Sequence, residues 1–161
     1  MTLLHELRSS DRRWELGMIN GPNMPNLGRR DRRVYGAVEN IEELVKRVER
    51  LCAELGITLR AHVCSNSEAE ILGWIHEHGP DLDGLIVNPA GLTTFGEATR
   101  HALEDTGRPF VEVHFGNIAR RAVESRFSST AAGACFGLRR HSYAAAVVGL
   151  VGALDGDDIA G

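Results

Sequence analysis

Glu112 and His114 stand two positions apart at the end of an apolar run, Pro109 to Val113, so on a strand both side chains face the same way. A carboxylate beside an imidazole orients the ring and favours its protonated form, which makes a general acid near neutral pH. The same pair could also be no more than a hydrogen-bonded strand end. A second pair lies far upstream, where Arg30 and Tyr35 fall within Ile19 to Gly36, a stretch too rich in Gly, Pro and Asn to continue the apolar run before it. A guanidinium close to a phenol favours the phenolate, and a phenolate is a base. Loops this long in a compact domain are usually functional or disordered, and this one reads as a lid over a pocket. Arg29, Arg30, Arg32 and Arg33 also read as a solvated basic turn, and the stretch by itself favours that reading.

Asn23 and Asn88 add neutral amides of the kind that hold a hydroxyl, a carboxylate or an enolate approached through water. A base, an acid and amide donors together suit abstraction of a proton next to a carbonyl with loss of a hydroxyl, a β-elimination. Lys46 is the only lysine and lies within a helical pattern, so no imine chemistry suggests itself. His76 and His78 are two apart on a predicted helix and point in different directions, which does not make a metal pair. His62 and His141 have no partner visible in the sequence and read as structural. Cys52, Cys64 and Cys135 are scattered, fitting neither a disulfide framework nor zinc-ligand spacing, and read as buried thiols of a cytoplasmic protein. No GxGxxG and no Walker motif occurs, so neither a dinucleotide nor a P-loop nucleotide is indicated.

The elements that must position these residues follow from periodicity. Trp14 to Ile19 predicts a first strand that feeds the lid. Asn40 is a predicted N-cap with Glu43 at the capping-box position, and apolar residues recur at helical spacing from Ile41 to Leu55, ended by Gly56. Ile57 to Val63 predicts a second strand. Ser67 with Glu70 forms a second capping box and opens a helix to about His78. Gly84 to Val87 is a third strand with Asn88 to Thr94 as its exit loop, and a helix follows from about Gly96 to Thr106. Pro109 to Val113 is the fourth strand, Ala134 to Gly137 a fifth, and Ser142 to Leu154 a last helix, with Ile118 to Thr130 irregular between them.

Strand alternating with helix predicts a five-stranded parallel sheet covered on both faces, a three-layer α/β sandwich. Ligands of such sheets bind beyond the carboxyl ends of the strands. The polar loops at Asn20 to Tyr35, Ser65 to Ser67, Asn88 to Thr94 and His114 to Asn117 all leave strand ends, so they converge on one edge, and this favours a site over a solvated turn. With 161 residues and a net charge of −4, one domain over residues 14–154 is expected, with a loose extension at 1–13 and a tail at 155–161. The charge gives no reason to expect nucleic acid, and no apolar run approaches the roughly 20 residues of a membrane span.

Asn20-Gly21-Pro22-Asn23, Leu27-Gly28-Arg29-Arg30, Val34-Tyr35-Gly36, Ser65-Asn66-Ser67-Glu68, Trp74-Ile75-His76, Asn88-Pro89-Ala90-Gly91-Leu92-Thr93 and Glu112-Val113-His114 occur in an order and spacing that resembles the type II 3-dehydroquinate dehydratases. The resemblance covers residues 15 to 152. It implies a flavodoxin-like fold, a homo-oligomer of trimers forming a dodecamer, and elimination of water from a cyclic carboxylate through an enolate, with no cofactor and no metal. It implies roles by position: Tyr35 as base, Arg30 as the residue that makes it one, and Asn23 as holder of a water near the enolate. His114 would be the acid, supported by Glu112, with Asn88 and the backbone at Phe115 and Gly116 binding substrate. Four positions depart from the family pattern. Thr94 stands where the family has a substrate-binding His, His101 where an acidic residue reaches the neighbouring subunit's site, and Gly116 where it has Ser. Ser125 takes the place of an Arg that binds ring hydroxyls, with Arg126 one position away. The proton-transfer set is intact and the recognition shell is changed. The expected function is therefore a hydro-lyase acting on 3-dehydroquinate or a related ring ketone, and the alternatives are a different reaction or substrate in secondary metabolism or a non-catalytic binding or assembly subunit.

Overall fold

The structure is a computed structural model, and it describes residues 3–38 and 40–156. Five strands, β1 (Glu15–Asn20), β2 (Thr58–Cys64), β3 (Gly84–Asn88), β4 (Phe110–His114) and β5 (Gly133–Phe136), form one parallel sheet in the order β2-β1-β3-β4-β5. The helices are α1 (Arg32–Tyr35), α2 (Ile41–Glu54), α3 (Glu68–His78), α4 (Glu97–Asp105) and α5 (His141–Asp155). This strand order is that of flavodoxin-like proteins, in which the crevice at the order reversal between β1 and β3 receives the ligand.

Strand alternation separates two cores. Leu16, Met18, Ile86, Val111 and Val113 pack with α2 and α5, whereas Ile19, Leu85, Val87 and Phe110 pack with α3 and α4. Glu112 and His114 share the parity of Phe110 and so lie on the α3/α4 side of β4. Gly17 shares the parity of Ile19, and a Cβ there would stand 2.4 Å from Leu82 Cδ1 and 3.1 Å from the Trp74 ring.

Both predicted caps form: Asn40 Oδ1 accepts from Glu43 N at 2.9 Å and Ser67 Oγ from Glu70 N at 3.3 Å. The Glu70 carboxylate accepts instead from Ser65 Oγ at 2.6 Å, which ties the β2 exit loop to α3 rather than closing the box. Several strands end one residue later than periodicity predicts, because Asn20 is paired in the sheet with both Cys64 and Asn88.

The lid stretch is not a plain loop. It contains a 3-10 turn at Met24–Arg29 and the single-turn helix α1, whose N-terminus Asp31 caps by accepting from Arg33 N at 2.9 Å. Met24 and Leu27 are buried, and each full burial of such a side chain stabilises by roughly 1.5–3 kcal/mol, which anchors the base of the lid.

The N-terminal extension is tied down where it is described. Arg8 Nε and Nη2 donate to the two oxygens of Asp155 at 2.6 and 2.8 Å, and Nη1 donates to Leu55 O at 2.7 Å. Trp14 Nε1 donates to Asp155 as well, at 2.7 Å. A bidentate pair with both side chains buried fixes the segment against α5, so the expectation of a loose extension gives way to a clamp. Asp155 thus closes α5, and the tail expected at 155–161 lies outside the described residues beyond Gly156.

Candidate active site

The exit loops of β1 and β3 are laced together. Gly21 N donates to Asn88 O at 2.9 Å and Gly91 N to Pro22 O at 3.0 Å. Gly21 allows this approach, since a Cβ there would fall 2.3 Å from Pro89 O. Asn66, from the loop after β2, accepts from Asn23 N at 2.8 Å and holds Asn23 in a left-handed conformation with φ 77°. Three of the four polar loops are therefore joined at the carboxyl edge, as their positions after strands predict.

A cavity of about 280 Å³ opens there. The lid contributes Asn23, Arg30 and Tyr35; the β3 loop contributes Asn88 and Thr94; the β4 loop contributes His114, Phe115 and Gly116. The Arg30 guanidinium carbon stands 3.9 Å from the centre of the Tyr35 ring, so the cation covers the ring face rather than pairing end-on with the hydroxyl. On its other flank Tyr35 meets Phe115, ring centres 5.6 Å apart, and Phe115 meets buried Tyr143 at 5.4 Å. The lid tyrosine is thus seated on an aromatic column that begins in the core.

His114 Nε2 lies 2.6 Å from Glu112 Oε1, and Ser128 Oγ donates to Glu112 Oε2 at 2.5 Å. The Glu112 carboxylate is fully buried. Burial pushes its pKa up, but hydrogen bonds from His114, Ser125 and Ser128, with the charge of His114, outweigh it and hold the carboxyl below its ordinary range. Glu112 is therefore an anion beneath the imidazole.

Asn88 is held at both ends of its amide, and Nδ2 also lies 3.6 Å from Met24 Sδ. Its Oδ1 accepts from Ala90 N at 3.0 Å and its Nδ2 donates to Tyr143 Oη at 2.8 Å, while Tyr143 Oη donates to Asn20 Oδ1 at 2.6 Å. Burial drives the Tyr143 phenol well above its usual range, so it remains a neutral bridge between the two amides. Gly116 sits under the lid: a Cβ on it would stand 3.2 Å from Val34 Cγ1, so the valine closes the space above this position.

Two of the predicted substrate-binding residues are not brought to this cavity. His101 is exposed on α4 beside Arg100 and Glu97, and Arg126 Nε lies 3.6 Å from Glu97 Oε1 with most of its side chain in solvent. The backbone of Arg126 is held by Thr93 O at 2.8 Å, which directs its side chain towards α4. Ser125 is hydrogen-bonded to Glu112.

The sequence gives no sign of Ser128 or Tyr143, because each acts through a partner distant in the chain. Arg121, which also lines the cavity, is indistinguishable in sequence from its neighbour Arg120. Burial pushes Cys52 up to about 12 and Cys64 up to about 11, with Glu49 and Glu42 adding to the effect, so neither thiol is a ready nucleophile. Among the described residues no three His, Cys, Asp or Glu side chains are grouped to hold a metal ion. A groove of about 330 Å³ between α2 and α5 is lined by Arg47, Arg50, Glu54 and His141, and none of Asn23, Tyr35, Asn88 and His114 reaches it.

A flavodoxin-like sheet with a tyrosine and a carboxylate-bound histidine facing one cavity at its order reversal defines the class of this protein, an α/β fold with its candidate site at the carboxyl edge. The family model for dehydroquinase class II matches residues 14–151, and the chain belongs to that family. It is 37% identical over 138 residues to 3-dehydroquinate dehydratase of Roseiflexus castenholzii, covering 84% of this chain and 87% of that one. With 3-dehydroquinate dehydratase of Mycobacterium bovis it is 38% identical over 131 residues, 80% of this chain and 88% of the relative. The crystal structure of type II dehydroquinase from Propionibacterium acnes superposes with a TM-score of 0.79 at 31% identity, covering 88% of this chain and 99% of that one.

Proposed function

We propose that this chain is a hydro-lyase that converts 3-dehydroquinate, or a closely related cyclic β-hydroxy ketone carboxylate, to the conjugated enone and water. The observation that carries the reading is the placement of Arg30-covered Tyr35 and Glu112-bound His114 on one cavity. Tyr35, as phenolate, removes the proton next to the ketone, and the electron pair of that C–H bond forms an enolate. Arg30 over the ring stabilises negative charge on the phenolate side. Asn23 holds a water close to the enolate oxygen. The enolate collapses with cleavage of the C–O bond, and His114 protonates the departing hydroxyl. Nε2 is engaged by Glu112, so that proton comes from Nδ1. One proton then returns from Tyr35 to His114 through solvent, and the cycle closes.

Asn88, Thr94 and the backbone at Phe115 and Gly116 hold the ring. His101 and Arg126 take part, on this reading, only across a subunit boundary. We place the chain in a homo-oligomer built from trimers, in keeping with Phe95, which is 81% exposed beside the substrate loop. Three free thiols support a cytoplasmic location.

The test is steady-state turnover of 3-dehydroquinate followed by ultraviolet absorbance of the enone. Tyr35→Phe should lower kcat by at least 100-fold while leaving binding of a ring carboxylate near normal, since only a proton acceptor is lost. Thr94→His should raise kcat/KM on 3-dehydroquinate by restoring a donor for a ring hydroxyl. Absence of enone from the unmodified protein at any substrate concentration would refute the reading.

A further inference from the structure

The cavity wall carries positive groups and no carboxylate: Asp and Glu are missing from its lining, and Glu112 lies behind His114. Two of the basic side chains are already engaged. Arg30 is stacked on Tyr35 with Nη1 near Met24 Sδ at 3.9 Å, and His114 is bound to Glu112. The third is Arg121, and its guanidinium makes no ion pair and no side-chain hydrogen bond among the described residues. It stands on a turn in which Arg121 N and Val123 N both donate to Ile118 O, at 3.1 and 3.0 Å, and Ala122 adopts φ 52°. That turn aims Arg121 at the cavity, whereas Arg120, one residue earlier, does not line it. The neighbouring candidates are withdrawn: Ser125 is hydrogen-bonded to Glu112 and Arg126 lies against Glu97.

We infer that Arg121 is the residue of this chain that recognises the substrate's ring carboxylate, through a paired, two-pronged contact. An uncommitted guanidinium presents a charged fork that matches a carboxylate, which the neutral Asn23 and Thr94 side chains do not. Gly116 supplies no side-chain donor, so a carboxylate held there by backbone alone gains a counter-charge from Arg121. The inference rests on the reading of the cavity as a site for a cyclic carboxylate.

The experiment measures binding of quinate, a non-reactive ring carboxylate, and of its neutral carboxamide by calorimetry, alongside KM and kcat on 3-dehydroquinate. The proteins compared are the unmodified chain, Arg121→Gln and Arg120→Gln. Arg121 and Arg120 are both exposed, so neither change threatens the fold. Arg121→Gln should weaken quinate and raise KM by about 10- to 100-fold, with kcat changed less than threefold. Carboxamide binding should be unaltered, so that discrimination between acid and amide disappears, and Arg120→Gln should behave as the unmodified chain. Equal quinate binding by Arg121→Gln and the unmodified chain would overturn the assignment. So would equal weakening of quinate and carboxamide, which would mark a contact to ring hydroxyls instead. A protein that binds quinate through Arg121 yet produces no enone would sustain this inference while refuting the proposed reaction.

Discussion

Replacing Glu112 by Gln removes one charge from beneath His114 with almost no change in volume. In the structure the carboxylate is fully buried, lies 2.6 Å from His114 Nε2 and accepts from Ser128 at 2.5 Å. An amide in the same place can still satisfy Ser128 through its oxygen. Its NH2 would then face Nε2 as a donor, which requires Nε2 to be an acceptor and so favours neutral imidazole. The Nδ1 proton needed by the leaving hydroxyl stays in place, but a neutral imidazole gives it up far less readily than an imidazolium, so the acid is weakened. A hydrogen bond to a charged group is worth about 1.5–3 kcal/mol, and at about 1.4 kcal/mol per decade this corresponds to roughly a 10- to 100-fold fall in kcat. KM should move little, because Glu112 lies behind the cavity wall. Steady-state enone formation supplies the rates, and a thermal melt shows that the fold survives. The pH dependence has a definite sign. The folded carboxyl is held below the ordinary glutamate value of about 4.3, so its contribution to stability is complete above that value and is lost as pH falls through the depressed folded value. Glu112→Gln should therefore lack part of the acid-side decline in stability. A kcat within twofold of the unmodified protein, with an intact melt, would refute the claim that Glu112 holds His114 as the acid.

Tyr143→Phe deletes the hydroxyl that joins Asn20 to Asn88 and leaves two buried amides short of a partner; we expect a loss of about 1–3 kcal/mol, seen as a lower Tm, together with weaker ring-carboxylate binding as Asn88 loosens. An unchanged Tm would show that the amides find other partners. Arg8→Ala breaks a buried pair and should cost about 3 kcal/mol, or roughly 6–12 °C in Tm for a chain of this size. Arg8 holds the Asp155 carboxyl below its usual range, so in the unmodified protein this stabilisation is present above about pH 4 and is lost as pH falls through the depressed folded value. The Tm difference between the two proteins should accordingly shrink in acid, and a constant difference would contradict the linkage. Gly116→Ser by itself should lower kcat/KM because its Cβ meets Val34 at 3.2 Å, whereas the pair with Val34→Ala should recover it. Strictly additive effects in that double-mutant cycle would show that the two positions do not share space.

Much of the site's frame was legible in the chain because it depends on backbone periodicity. Alternation at period two placed Glu112 and His114 on one face of a strand, and the caps at Asn40 and Ser67 follow from local side-chain geometry that needs no distant partner. A run of parallel strands puts every exit loop at the same edge, so the convergence of Asn23, Tyr35, Asn88 and His114 followed from topology before any distance was measured. The order of the sheet, with β1 between β2 and β3, completed that frame. The tertiary structure alone decided which groups complete the polar contacts. Glu112 takes hydroxyls from a loop after its own strand, Tyr143 reaches Asn20 across 123 residues, and Arg8 reaches Asp155 across 147. Of Arg120, Arg121 and Arg126, only Arg121 lines the cavity, because the turn at Ile118–Val123 rotates successive side chains in different directions and the Thr93 carbonyl holds Arg126 outward. Hydrogen bonds and ion pairs form between whatever groups folding brings within about 3 Å, and that proximity is a property of the packed chain that spacing along it does not encode.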